Sequence, residues 1–192
     1  MQGEITIRGS SSEEFKNNAL GSVKLQIDDG SLHRFSVLSK IFSILNVSQL
    51  IKFQLPDMVS GGMPFNKITG AISIRDGIAA TSDLFLDSDA INISAVGKLN
   101  LKKNELDVTF GVQPLQTIDK VVSHIPVVGW ILTGKNKSLI TTYFEAKGKV
   151  EDPTVTAVPV KSLTKGVFNI FKRVFQLPAK LFTDTGEVIL GN

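Results

Sequence analysis

The chain has 192 residues, of which 42% are hydrophobic, and carries a net charge of +3. This apolar content is sufficient for a core and argues against disorder, while the small charge and the single Tyr and Trp argue against a nucleic-acid surface. The absence of Cys excludes thiol catalysis, disulfides and cysteine-ligated metal, and His33 and His124 are too far apart in the sequence to indicate a histidine-rich metal site.

The first residues, Met1–Ile7, read as a strand and lack the basic and apolar regions of a signal peptide. The longest apolar run, Ile125–Leu132, is far shorter than the ~20 residues of a membrane-spanning helix. We therefore expect a piece of a longer protein, with any targeting segment upstream and residues 1–20 forming an N-terminal strand or a polar lead-in.

The next two elements are a strand and a helix. Alternation in Val23–Ile27 predicts a strand, and Asp28-Asp29-Gly30 is a hairpin-type turn signal at its end. Apolar residues then recur at helical spacing and predict a short amphipathic helix that ends near Asn46: Phe35, Leu38, Ile41, Phe42 and Leu45. A loop with Gly and Pro follows, over residues 56–64.

From residue 68 the hydrophobic period changes to two, which predicts strands joined by tight turns. The runs are Ile68–Arg75, Ile78–Asp87, Ala90–Leu101 and Glu105–Val112, and Leu139–Val150 adds a fifth. Apolar residues in these runs share one face, so the pattern predicts an antiparallel meander with one apolar and one polar side.

A second internal helix is predicted after Pro114, and Pro126 and Gly129 should bend or end it. After a predicted linker, Val155–Val160, the segment Lys161–Phe182 divides on a helical wheel into an apolar half and a basic half without an acid. We predict that this helix contacts a membrane or a partner through Val167, Ile170, Phe171, Val174 and Phe175 on the apolar half, and through Lys165, Lys172 and Arg173 on the basic half. Such a helix either packs on its own domain or contacts an anionic membrane or a protein partner.

No group of residues in the sequence indicates catalysis. Gly129–Asn136 is similar to a phosphate-binding loop but ends in Asn, where Ser or Thr would hold magnesium, and it precedes a strand. Asp83, Asp87 and Asp89 lie close together but lack the Gly and terminal Glu of a calcium loop. We therefore predict a protein that is not an enzyme and has no cofactor, no metal and no nucleic-acid partner.

The order of the elements resembles the C-terminal region of AsmA-like envelope proteins of diderm bacteria, over about residues 20–155. The segments that carry the resemblance are Leu38–Val47, Gly62–Phe65, Ile68–Gly70, Asp76-Gly77, Leu84–Leu86, Ile91–Gly97, Leu106–Val108, Gln113–Leu115, Leu132–Gly134 and Gly148–Pro153. Each segment is degenerate, and the specificity of the resemblance comes from their order.

The resemblance implies a long, twisted β-sheet folded into a groove that carries phospholipid across the periplasm, in a protein anchored in the inner membrane and directed toward the outer membrane. We accordingly predict an α+β fold, a twisted antiparallel β-meander with an apolar groove face on one side. Two internal amphipathic helices and a C-terminal basic amphipathic helix complete it. Residues 21–155 would form the groove domain, and residues 156–192 the linker and the basic helix.

We expect the apolar face to hold acyl chains of phospholipid or another lipid. Alternation alone selects the groove candidates Ile72, Ile74, Ile91, Ile93, Leu99, Leu106, Val108 and Phe110. Two other interpretations stay open. The same residues could form an ordinary sheet-on-helix core that admits no ligand, or the chain could be a structural or adaptor module that docks a membrane or envelope protein through its amphipathic helices.

Overall fold

The computed structural model describes residues 2–6, 10–11, 14, 18–33, 36–45, 62–115 and 141–176. These residues form one eight-stranded sheet in which each strand pairs antiparallel with the next along the chain. The strands are β1 Gln2–Thr6, β2 Leu20–Leu32, β3 Met63–Arg75, β4 Ile78–Asp87, β5 Ile91–Asn100, β6 Glu105–Pro114, β7 Thr142–Lys149 and β8 Thr154–Val158. The helices are α1 Ser36–Ile44 and α2 Lys165–Gln176, with a 3-10 turn at Val160–Ser162. The predicted α+β meander is confirmed.

Two turn predictions had different outcomes. Asp76 and Gly77 both have positive φ, as a two-residue hairpin turn with the favoured Asp-Gly sequence requires, and they join β3 to β4. The predicted turn at Asp28-Asp29-Gly30 is wrong, because β2 continues to Leu32. Asp29 has the left-handed φ of a turn residue, yet Asp28 and Gly30 stay paired with β3.

A β-bulge in β4 lies between Thr81 and Leu84, where three steps along β4 match two steps along β5. The bulge interrupts the ladder with β3 as well. The Asp83 carboxylate accepts a hydrogen bond from the Ala71 N–H at 2.8 Å, which replaces a ladder bond at this point. This acid therefore has a structural partner in the sheet.

Helix α1 lies against one side of the sheet and shows that the sheet is curled. The Ser36 hydroxyl donates to the Val150 carbonyl at 3.2 Å, just beyond β7, although Ser36 follows β2 by only four residues. Four residues span at most ~14 Å, whereas five strand spacings from β2 to β7 would add up to ~24 Å in a flat sheet. The sheet must therefore twist and curl around α1.

The predicted linker at residues 155–160 is instead β8 followed by the 3-10 turn. The strand forms because Val155 and Ala157 pack against the main core, opposite Ala146 and Phe144 of β7. Helix α2 then begins at Lys165, four residues later than predicted. The second internal helix, His124, the phosphate-loop-like segment and residues 177–182 lie outside the described residues.

Candidate functional site

The core face is the side of the sheet that carries Ile68, Leu86, Ile93 and Val112, which lie side by side on four successive strands. Alternation places apolar side chains on this same face in every strand from β2 to β8. The register brings all eight predicted groove residues to it. The result is one apolar surface that crosses the sheet.

Helix α1 buries one part of the core face. Its residues Val37, Leu38 and Ile41 are at most 6% exposed and belong to the same cluster as the sheet residues beneath them. Four groove candidates belong to this cluster and are at most 9% exposed: Ile91, Ile93, Leu106 and Phe110. In this part of the face, the chain's own helix occupies the position expected for a ligand.

The rest of the core face is only half-buried. We call the residues Val23, Leu25, Ile72, Ile74, Leu99 and Val108 the open strip. Val23 lies opposite Ile72 in the β2–β3 ladder, and Leu25, Leu99 and Val108 border the buried cluster. The other four groove candidates are therefore members of the strip, which continues the core toward solvent.

The opposite side, the polar face, carries the row Lys98, Asp107 and Lys147 on β5, β6 and β7. Lys149 pairs with Glu105 at 3.3 Å. Lys147 pairs with Glu145 at 2.9 Å, and this hydrogen bond raises the pKa of Lys147. The alternation of charges is typical of a solvated sheet surface, on which such pairs contribute little stability.

Helix α2 covers a different part of the polar face. Phe85, Ser94, Gly111 and Tyr143 lie side by side on β4 to β7, and we call them the docking row. The ring of Phe171 lies 5.2 Å from that of Tyr143, and the ring of Phe175 lies 6.1 Å from that of Phe85, measured between centroids. Because Gly111 has no side chain, the two helix rings can pack directly on the sheet between these aromatic residues.

Burial under α2 affects the polar atoms of the docking row. Ser94 is fully buried, and its hydroxyl has no hydrogen-bond partner within the described part of the chain. An unsatisfied buried hydroxyl costs about 1–3 kcal/mol, which weakens the docking of the helix. Burial also raises the pKa of the Tyr143 hydroxyl, since the ionised form would lose its hydration.

The two sides of α2 have different environments. Phe171 is fully buried and Val174 is 7% exposed, while Val167, Ile170 and Phe175 are half-buried. Lys165, Lys172 and Arg173 are exposed, and none forms an ion pair with another described residue. In this arrangement the apolar side packs on the chain's own sheet, so membrane or partner contact by that side stays a prediction that requires release of the helix.

Sequence reasoning missed the docking row. The available signal was the presence of two aromatic residues, Phe85 and Tyr143, at positions whose alternation assigns them to the polar face. Gly111 between them was a second signal, because a helix can approach a strand closely where a side chain is absent. Their proximity depends on the register of four strands, which alternation within one strand does not give.

Neither a metal-binding group nor a membrane-spanning helix is found among the described residues. Asp89 accepts a hydrogen bond from Asn66 at 2.8 Å. In the described ranges, no three His, Asp or Glu side chains are grouped so that they could bind a metal ion. In the same ranges, no helix has both the length and the apolar character needed to cross a bilayer.

A family model described as YhdP protein matches residues 2–155, which include the strands from β1 to β7. No curated protein and no solved structure matches the chain. The matched family is AsmA-like, and its members are envelope proteins associated with lipid transfer. With a match over most of its length, this chain belongs to the YhdP family of AsmA-like envelope proteins.

Proposed function

We propose that this chain holds acyl chains on the open strip and acts without catalysis, as the C-terminal end of a lipid-transfer protein. The whole protein would be anchored in the inner membrane and directed through the periplasm toward the outer membrane. Family membership supports the association with the envelope and with lipid. The observation that carries the proposal is the half-buried apolar surface that continues from the α1-covered core to the residues of β2 and β3.

The free energy of acyl transfer explains why such a surface is sufficient. Exposing an acyl chain to water costs about 0.8 kcal/mol per CH₂, so a ~16-carbon chain costs about 12 kcal/mol. A continuous apolar strip keeps part of the chain out of water during movement and lowers this barrier. No acid, base or nucleophile is needed for that step.

The test is lipid extraction and native mass spectrometry of the purified chain after expression in a diderm host. The open strip offers better variants than the buried cluster, because a charge at Ile93 or Phe110 would disrupt the fold itself. We expect Leu99→Asp to lower the amount of co-purified phospholipid at least about threefold, since a charge opposes contact with acyl chains. The matched control is Lys98→Asp, which changes the adjacent, exposed side chain on the polar face.

Circular dichroism and thermal unfolding must show that both variants stay folded. Equal lipid content in wild type, Leu99→Asp and Lys98→Asp would contradict the proposal. A wild-type chain that is stable, monomeric and free of lipid would favour the interpretation in which the chain's own helices fill the apolar face.

The exposed basic side of α2 supports a second candidate, an adaptor that docks a membrane surface or an envelope protein. Lys165, Lys172 and Arg173 form a cationic surface without an acid on the helix. Contact through this side alone would be electrostatic, would need anionic lipid and would weaken with salt. Liposome sedimentation with and without anionic lipid tests it, and binding that needs a particular protein instead of anionic lipid would favour the protein-docking form.

A further inference from the structure

The polar face has a depression at the end of the sheet where β3 turns into β4. Its floor is the row Ser22, Ser73 and Ala80, which lie side by side on β2, β3 and β4. These side chains are small, whereas the larger Leu20 and Arg75 lie two residues away on the same strands and therefore on the same face. A cavity of about 790 Å³ lies over these residues.

The border of the depression has a cation between two apolar side chains. Arg75 is opposite Ile78 in the β3–β4 ladder, and Leu20 lies on its other side, on β2. Leu20 is 51% exposed and Ile78 is half-buried. Neighbouring strands are ~4.8 Å apart, so a group bound to the guanidinium can also contact these apolar side chains. The residues Leu20, Ser22, Ser73, Arg75, Ile78 and Ala80 together are called the Arg75 cleft.

Positive charge predominates around the Arg75 cleft. Lys98 lies next to Ala80, on β5, and Lys24 lies on the same face of β2. Arg75, Lys24 and Lys98 are exposed, and none forms an ion pair with another described residue. The acid among the described residues that border the cavity is Asp76, in the turn after β3. One carboxylate does not balance three cations, so the electrostatic potential favours an anionic ligand.

The extent of the apolar border limits the class of ligand. Beyond Ile78 the same row continues with Asn100 on β5, and the next row holds the serines of the floor. A long acyl chain would therefore leave the apolar border and lie on polar groups, whereas one apolar side chain of a peptide is covered. Arg is also among the residues that contribute most at protein interfaces.

The polar groups of the cleft match a carboxylate. A guanidinium binds a carboxylate through two parallel hydrogen bonds. The hydroxyl of Ser73 has only a long bond, 3.4 Å, to the Ala80 carbonyl, so it can donate to a ligand instead. The matching group is a carboxylate with an apolar side chain next to it.

We propose that the Arg75 cleft docks an extended, acidic segment of a partner protein, in which an apolar residue and an acid are two positions apart. Residues at this spacing lie on the same side of an extended chain. The carboxylate binds Arg75, and the apolar side chain contacts Leu20 or Ile78. The cleft lies on the face opposite to the open strip, so this docking goes beyond the proposed function and does not depend on lipid.

The test uses the blocked peptide Leu-Ser-Asp-Ser-Leu, titrated into the full chain and followed by the NMR shifts of backbone amides. Two control peptides replace the Asp by Asn, or both Leu by Ser. With the first peptide we expect shifts at Ser22, Ser73 and Gly77. The Asn peptide should bind roughly tenfold more weakly, because it lacks the charge that pairs with the guanidinium. The Ser peptide should bind about threefold more weakly, since it buries less apolar surface.

Variants of the chain locate the contact. Arg75→Gln should reduce the affinity for the first peptide roughly tenfold. Leu20→Ser should reduce it about threefold and leave the affinity for the Ser peptide unchanged. Both side chains are exposed, so the variants should keep the unfolding temperature of the wild type. The matched control is Lys172→Gln, which removes an exposed cation from α2 and should leave the affinity unchanged.

Several results would overturn the docking of an acidic segment. They are no binding of the first peptide, equal binding of the Asn peptide, or unchanged binding in Arg75→Gln. Weaker binding in Lys172→Gln alone would assign the contact to α2 instead. Sedimentation with phosphatidylglycerol vesicles that depends on Arg75, without peptide binding, would overturn the proposal in favour of a membrane surface. Peptide binding to a chain that carries no lipid would support the docking even though the proposed function had failed.

Discussion

Gly111 lies beneath the rings of Phe171 and Phe175, where an added Cβ would approach Phe175 Cε2 within 2.8 Å and Phe171 Cδ1 within 2.9 Å. Both rings must therefore move if the residue is enlarged. We expect Gly111→Ala to weaken the docking of α2 by about 1–3 kcal/mol, the usual effect of overpacking. Hydrogen exchange at the α2 amides measures this change.

Gly166 provides the matched control. It lies in α2, and an added Cβ there has no neighbour within 4 Å. Gly166→Ala should stabilise the helix by about 0.5–1 kcal/mol, because glycine loses more conformational entropy than alanine on helix formation. Faster hydrogen exchange of the α2 amides in Gly166→Ala, or unchanged exchange in Gly111→Ala, would contradict the docking of α2 over Gly111.

Tyr143 is the single tyrosine of the chain, so phenolate absorbance reports on it alone. Burial raises the pKa of its hydroxyl in the folded state above the ordinary value near 10. The stability due to the neutral form is therefore complete below about pH 10 and is lost as pH rises through the folded-state pKa. We expect the titration midpoint to fall toward the ordinary value in Phe171→Ala, whereas an unchanged midpoint would show that α2 does not cause the burial.

At the scale of elements, the apolar side of α2 packs on the docking row, and contact of that side with a membrane stays a prediction that requires release of the helix. Thr164 starts the helix by accepting a hydrogen bond from the Val167 N–H at 3.3 Å, so the helix has its own N-cap. The docking row supplies aromatic contacts but leaves the Ser94 hydroxyl unpaired. Release of α2 would therefore lose apolar contacts and regain hydration of that hydroxyl.

Phe171→Asp tests the docking of α2 on the sheet. A charge at a fully buried position should undock α2, and the sheet should keep its circular dichroism signal because the main core lies on the other face. Hydrogen exchange should increase at the docking-row amides, while Lys172→Asp, an exposed neighbour, should leave them protected. Loss of the whole fold in Phe171→Asp would instead show that α2 is an essential part of the core.

At the scale of the whole molecule, the contacts of α1 hold the curl of the sheet. Lys40 donates to the Asp152 carboxylate and, at 2.7 Å, to the Pro153 carbonyl, which joins α1 to the turn before β8. These bonds lie beside the Ser36–Val150 bond, and all of them join α1 to the segment between β7 and β8, which keeps the sheet curled. Much of the energy comes from the apolar cluster beneath α1, since an exposed ion pair contributes little.

Low pH should weaken the pair between Lys40 and Asp152, which joins α1 to the turn before β8. The hydrogen bond from Lys40 lowers the pKa of Asp152 in the folded state. The contribution of the pair is therefore present above the ordinary Asp pKa of about 3.9 and is lost as pH falls through the folded-state value. We expect the difference in unfolding temperature between wild type and Asp152→Asn to shrink below pH 4, and a constant difference would show that the pair does not stabilise the curl.

The sequence determined the strands, most of their turns and the assignment of residues to faces, because hydrophobic alternation and Asp-Gly turn chemistry are local properties. The prediction from sequence was wrong at Asp28-Asp29-Gly30, because cross-strand pairing keeps a turn-like residue inside β2. It was also wrong at residues 155–158, because the segment is too short for its own alternation to predict a strand, and packing on the core makes it one. It also placed all eight groove candidates on one face without separating those under α1 from those on the open strip. Only the tertiary structure decided that division and the docking of α2 over Gly111. These features arise from the register and curl of several strands, which bring together residues that no single segment contains.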